Sequence, residues 1–193
     1  MRIAAFILFA ATLAAQKHDI GFTLGRVRAD NRPLIRIGPG NAWQANYGYR
    51  LNSSESRVGV YATGHFLAAP FRQTGSGELR ATRDIASLYL TPALRVKFAP
   101  GGPVSPWIEG GGGLAVYEHS LTTIGRFANP APRLSNTGAL VVGAGADFRI
   151  RRWFALRGEI RDFYSGSPVY NIPSAMRRQH NLVVGGGFAL RFR

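Results

Sequence analysis

Alternation with a period of two constrains this chain more than any other feature. Eight segments carry large apolar residues on one face and small or charged residues on the other: Asp19–Val27, Ala42–Leu51, Arg57–Phe66, Ser87–Phe98, Pro106–His119, Thr137–Ile150, Trp153–Tyr164 and His180–Phe192. Successive side chains of a strand point to opposite faces, so each segment reads as a two-faced β-strand. No apolar run is long enough for a transmembrane helix, whereas a tilted strand crosses a bilayer with about 9–11 residues.

The connections sort by length. Asn52–Ser56, Ala99–Ser105 and Arg151–Arg152 are short; Arg28–Asn41, Leu67–Ala86, Ser120–Asn136 and Ser165–Gln179 are long, aperiodic and marked by Pro and Gly. Short turns at one end and long loops at the other, with an even strand number, are the pattern of an outer-membrane barrel.

The faces point the same way. In the last segment Leu182, Val184, Phe188, Leu190 and Phe192 oppose Asn181, Gly185, Gly187, Ala189 and Arg191. In the fourth, Leu88, Leu90, Leu94, Val96 and Phe98 oppose Ser87, Thr91, Arg95 and Lys97; in the seventh, Phe154, Leu156 and Ile160 oppose Arg157, Glu159 and Arg161. A soluble barrel would turn the apolar face inward. Eight strands enclose a space just wide enough for side chains, which suits the small and ionic face. Phe98, Trp107, Phe148, Trp153, Phe154 and Phe192 lie beside the short turns and are expected to form the periplasmic aromatic girdle. Trp43, Phe66 and Tyr164 are expected to form the outer one. Pro92 interrupts the fourth segment, which calls for a bulge or a shifted register.

Met1–Arg2, the apolar run Ile3–Leu13 and the small residues up to Ala15 make a secretory signal, too short to span a bilayer. Residues 1–15 are therefore assigned to export and 16–193 to an all-β, eight-stranded antiparallel transmembrane up-and-down β-barrel domain. The absence of Cys excludes a disulfide scaffold and a thiol nucleophile. Twenty-four basic against ten acidic residues give a formal charge of +14, which asks for an anionic surface nearby.

The whole pattern after the expected signal, residues 16–193, resembles the small eight-stranded outer-membrane barrels of the OmpA/OmpX-like class. Its closest approach to a motif is the C-terminal Phe188-Ala189-Leu190-Arg191-Phe192, although Arg193 makes the aromatic penultimate. The resemblance implies insertion by the barrel-assembly machinery into the outer membrane of a Gram-negative envelope, a narrow or blocked lumen, and roles from structural anchor through adhesin to lipid-modifying enzyme.

The register puts Arg50, Arg57, Arg95, Lys97, Arg149, Arg157, Arg161 and Arg191 inside, with Glu109, Asp147 and Glu159. Arg95, Glu109, Asp147 and Arg157 should form one ionic network with Arg191 close by, and Glu159 and Arg161 should lie one layer higher. Buried charges need partners. Arg50, Arg57, Lys97 and Arg149 are expected to reach periplasmic water. A filled lumen and a narrow anion-selective path both fit this set.

The long connections carry Arg28, Arg32, Arg36, Arg72, Arg80, Arg83, Arg126, Arg133, Arg177 and Arg178 against Asp30, Glu78 and Asp84. Guanidinium groups suit bidentate phosphate contacts. The expected partners are outer-membrane lipids, with these loops on lipopolysaccharide phosphates or another polyanion; no nucleic acid is expected, and the barrel is expected to be monomeric. His65, Ser87 and His119 face inward near the outer rim, where a Ser–His pair could support acyl transfer on lipid A. No catalytic motif, metal-ligand spacing or cofactor motif is present, so no enzyme activity, metal or cofactor is expected. A secreted soluble barrel holding a hydrophobic ligand is the remaining alternative, and the lipid-like outer face argues against it.

Overall fold

The computed structural model describes residues 17–30, 34–53, 55–172 and 178–193. The expected signal peptide and the loop residues Arg32 and Arg177 lie outside the described residues. Nine strands follow in chain order: β1 His18–Ala29, β2 Arg36–Ile37, β3 Gly40–Arg50, β4 Val58–Gly75, β5 Asp84–Phe98, β6 Val104–His119, β7 Leu134–Arg149, β8 Phe154–Gly166 and β9 Arg178–Phe192. The two-residue β2 pairs only with the outer end of β4. The eight long strands form an antiparallel meander in which each pairs with the next, and β1 closes on β9 from His18↔Phe192 to Ala29↔Asn181. The chain is a closed eight-stranded β-barrel.

Orientation follows the alternation. Leu90, Leu94, Ile108, Leu140, Val142, Leu156, Ile160 and Val184 are exposed on the outside, while Arg95, Lys97, Arg157 and Arg161 are buried inside. Leu94 keeps 58% of its surface exposed, and its neighbour Arg95 keeps none. An apolar exterior that wraps the whole barrel is a surface for hydrocarbon, not for water. The band ends at the turn side with Phe98, Phe148, Trp153 and Phe192, all exposed. On the loop side it gives way to Asp84, Glu118, Asp162 and His180 on the outward positions of β5, β6, β8 and β9.

Two elements depart from the sequence expectation. The segment Leu67–Gly75, expected as loop, continues β4. The register shifts between Ala69 and Arg72. This bulge leaves Pro70, which has no N–H, out of the ladder and lets the strand run on. At Pro92 the opposite happens: there is neither bulge nor slip. Pro92 pairs with Gly64 of β4, and on the β6 side the register is the same above and below it, at Leu90↔Leu114 and Ala93↔Gly111. A Cβ on Gly111 would overlap the backbone of Pro92 and Ala93, so glycine there lets β6 close on the proline-bearing strand.

The interior has two storeys. The turn-side half is ionic. The loop-side half is an apolar cluster that includes Val27, Leu67, Ile85, Tyr89, Tyr117, Val141, Phe163 and Val183. Above it the long connections knit into a cap. Thr82 bridges to Thr123, the Thr82 N–H donates to Tyr170 O at 3.1 Å, and the Asn171 Nδ2 group donates to Asn129 Oδ1 at 2.6 Å. Tyr170 and Ile172 are buried beneath this cap as part of the cluster.

Leu94→Arg tests the outward face. In urea titrations of protein refolded into lipid vesicles, with the heat-modifiable gel band as readout, the substitution should cost about 2–4 kcal/mol near the midplane. Parent-like stability would contradict the placement.

Candidate functional site

The turn-side interior gathers charge from six strands. Asp19 of β1 and Asp147 of β7 share the Lys97 ammonium of β5, at 2.8 and 2.7 Å. Arg157 of β8 grips the same two carboxylates: its Nε donates to Asp147 Oδ1 at 2.7 Å and its Nη2 to Asp19 Oδ1 at 2.8 Å. Arg191 of β9 donates to Asp147 Oδ2 at 2.8 Å and to the carbonyl of Pro100 at 2.9 Å. One layer higher Glu109 takes Arg95 at 2.8 Å and Arg161 at 2.8 Å. Arg161 also pairs with Glu159 at 3.0 Å and contacts the His65 ring. Thr23 Oγ1 and Gln44 Nε2 donate to Glu159 at 2.6 and 2.9 Å. All seven residues expected in the network lie within it.

Three features were missed or misplaced by the sequence. Asp19 is the node that joins Lys97, Arg157 and Arg95, the last at 3.6 Å, yet it stands at the start of β1 and reads as the first polar residue before an apolar run. Strand parity was the available signal, because Asp19 shares a face with Gly21 and Thr23. Trp107 is not in the periplasmic girdle. It is 1% exposed and points inward, as it must on the same face as Glu109. Its ring carries Arg95, Arg161 and Arg157 at 4.4, 5.1 and 5.7 Å from the centroid, a cation–π stack in a desolvated site. A Cβ on Gly145 would lie 2.5 Å from this indole, so a glycine makes the room. Finally, Lys97 and Arg50 are buried instead of reaching water; Arg50 Nε donates to Asn52 Oδ1 at 3.2 Å. Arg57 and Arg149 are exposed at the turns and leave the interior set.

These shifts change the electrostatics of the lumen. The network sets Arg95, Lys97, Arg157, Arg161 and Arg191 against Asp19, Glu109, Asp147 and Glu159. The network itself is near balance and its side chains fill the bore as crossed ion pairs, while the buried Arg50 and Arg72 outside it keep part of the basic surplus expected from the sequence.

At the loop end, Arg28, Arg36, Arg80, Arg83, Arg126, Arg133 and Arg178 are exposed. Arg83 pairs with Asp84 at 2.8 Å, and Arg133 pairs with Glu118. Arg72 does not belong to this rim. The bulge turns it inward, where it is 3% exposed and donates to Ser87 Oγ at 3.1 Å.

Ser87 and His119 are both buried on adjacent strands, but each is engaged elsewhere. His119 Nδ1 bonds to the carbonyl of Pro132 at 2.8 Å, and its Nε2 accepts the Val169 N–H at 3.0 Å. An Nε2 that accepts a backbone N–H fixes the proton on Nδ1 and ties both ring nitrogens into the cap. Ser87 opposes Tyr117, not His119. Among the described residues no cluster of His, Asp and Glu has metal-binding geometry.

This architecture defines a class: an outer-membrane-type eight-stranded β-barrel with an ionic interior. No family model matches the sequence, and no curated protein matches it. Solved structures do. Neisserial surface protein A aligns over 91% of this chain and 97% of its own, at TM-score 0.61 and 14% identity. The N-terminal β-barrel domain of OprF from Pseudomonas aeruginosa aligns over 93% and 100%, at 0.52 and 14%. The outer membrane protein OprG from the same organism aligns over 93% and 97%, at 0.51 and 15%. The chain has their fold.

Removing one carboxylate strands several cations. Asp147→Asn and Asp19→Asn should each cost about 3–5 kcal/mol in vesicle unfolding titrations, the scale for breaking a buried pair from one side. Glu118→Gln at the exposed pair should cost under about 1 kcal/mol. Equal effects at the two kinds of site would contradict the assignment of Asp19 and Asp147 to an enclosed network.

Proposed function

We propose that the chain is an integral outer-membrane barrel that works at its outer surface, with residues 1–15 serving export and the basic rim binding lipopolysaccharide phosphates or another polyanion. The observation that carries this reading is the separation of charge. The ionic network inside is close to balanced, whereas the loop end displays Arg28, Arg36, Arg80 and Arg126 beyond the two rim arginines that are paired with carboxylates. Guanidinium groups held at the membrane–water boundary are placed to meet lipid phosphates in bidentate fashion. The filled lumen and the knitted cap favour this role over transport. The engaged ring nitrogens of His119 favour it over acyl transfer.

The C-terminal strand supports insertion by the barrel-assembly machinery. Phe188, Leu190 and Phe192 lie on its outer face, while Arg191 turns inward to the network. A monomer satisfies every long strand, because the barrel closes on itself and leaves no sheet edge within the band.

Binding of the detergent-folded protein to immobilised lipopolysaccharide tests the proposal. Neutralising Arg36, Arg80 and Arg126 together to Gln should weaken binding about tenfold, and raising salt from low to high ionic strength should weaken the parent's binding as well. Binding that is indifferent to both would contradict an electrostatic rim. In planar bilayers the parent should be silent; stepwise anion conductance would favour a pore instead.

A further inference from the structure

One cation in the loop-side half of the lumen has no acid beside it. Arg72 leaves the bulge of β4 pointing inward, where it is 3% exposed. Its Nη2 donates to Ser87 Oγ at 3.1 Å, but Nε and Nη1 are buried without a hydrogen-bond partner. The ionisable side chains around it are phenols, those of Tyr89, Tyr170 and Tyr117, and the rest of the storey is the apolar cluster. A guanidinium does not give up its proton in a protein. A full charge is therefore held in a low-dielectric space, where an uncompensated ion is strongly unfavourable.

The chain's own acids do not supply the counter-charge. All ten lie among the described residues. Asp19, Glu109, Asp147 and Glu159 are committed to the turn-side network. Asp84, Glu118 and Asp162 hold outward positions and pair with Arg83, Arg133 and His180. Asp30, Glu55 and Glu78 are exposed. The fold nevertheless holds Arg72 in place. A Cβ on Gly40 would lie 2.7 Å from Cγ and Cδ of Arg72, so a glycine on β3 makes room for the stem. Ser87 Oγ accepts from Arg72, which leaves its own hydroxyl hydrogen to donate. Guanidinium and hydroxyl together present donors to whatever lies between them.

We infer that the upper lumen, beneath the cap, is an anion site that holds one halide ion against the unpartnered N–H groups of Arg72 and the Ser87 hydroxyl. Size and charge select the occupant. The Tyr89 and Phe163 rings pack with centroids 4.7 Å apart, and Tyr89 meets Tyr117 edge-on at 6.2 Å, so this storey suits a single small ion and not an acyl chain or a phosphate headgroup. One cation calls for one negative charge, and a dianion would leave a new uncompensated charge in its place. The site is separate from the basic rim, whose arginines are exposed, and from the turn-side network, whose cations have acids of their own. A bound halide supplies the counter-ion that the lower storey takes from its carboxylates. It thereby ties the upper end of β4 and the cap to the anion content of the medium.

Thermal unfolding of the detergent-folded protein, followed by tryptophan fluorescence, tests this when sodium gluconate is exchanged for sodium chloride at constant ionic strength. Each tenfold rise in chloride above the dissociation constant should raise the parent's midpoint by about 3–5 °C. Arg72→Met keeps a buried stem and removes the charge. Its midpoint should not respond to chloride and, in gluconate alone, should lie above the parent's. The triple rim variant at Arg36, Arg80 and Arg126 should respond like the parent. Bromide-soaked crystals of the parent give a readout that needs no variant: anomalous scattering should place one bromide between Arg72 and Ser87. A parent that responds to chloride no more than Arg72→Met does, or a map without bromide at Arg72, would overturn the site. Loss of the response in the rim variant would assign the effect to the rim and overturn it too. Sulfate that stabilises the parent over Arg72→Met as much as chloride does would overturn the choice of a monovalent ion. Lipopolysaccharide enters neither readout, so failure of the rim proposal and failure of this one are distinguishable.

Discussion

Two carboxylates, Asp19 and Asp147, hold the structure to one arrangement. They sit on β1 and β7, and they share Lys97 from β5 and Arg157 from β8, with Arg191 from β9 on Asp147. Charges enclosed in a barrel cannot be left to solvent, so each cation must find its acid across the lumen. Those cross-lumen pairs can form only if β1 closes on β9 in one register, because a slip of β1 by one residue would turn Asp19 out of the lumen into the hydrocarbon. The network is thus less a source of net stability than a specification of closure. Its cation–π stack on Trp107 seals the centre of the bore, where water would otherwise compete for the same ions.

Ion pairs in the lower storey and apolar side chains in the upper storey fill the lumen. Lipid-facing residues outside, crossed ion pairs inside and a hydrogen-bonded cap above divide the molecule into a rigid shaft and a presented end. The parts that depart from this regular scheme are local: the bulge at Ala69–Arg72 that extends β4 beyond the band, and the arginine rim. Departures from regular pairing in an otherwise regular barrel are where interactions with lipids or partners can be specific, because the rest of the outer face offers only methyl groups.

Much of this was legible in the chain. Period-two alternation gave the strand number, the up-and-down order and the outward face, because a strand's two faces see different solvents and the residues must follow. The inward set of Arg95, Glu109, Asp147, Arg157, Glu159, Arg161 and Arg191 came from the same parity. Failures arose where another cue was allowed to outrank parity. Trp107 was placed by height beside a turn, although it shares a face with Glu109. Asp19 was passed over because the first strand begins with it. Leu67–Gly75 reads as loop because the segment carries Pro and Gly without periodicity, while a bulge beside Pro70 lets the strand run on. The inward turn of Arg72 depends on that bulge, and so could not be read before the bulge was known.

The account depends on which way the side chains of alternate residues point, and Trp107 reports this directly. A variant with Trp43→Phe and Trp153→Phe retains Trp107 as its single indole, and refolding it into vesicles whose acyl chains carry bromine exposes any lipid-facing indole to quenching. Trp107 should keep nearly all of its emission, whereas a single indole introduced by Leu94→Trp in a Trp-free background should lose most of its own. Quenching of Trp107 as strong as that of the indole at position 94 would contradict the enclosed ionic core.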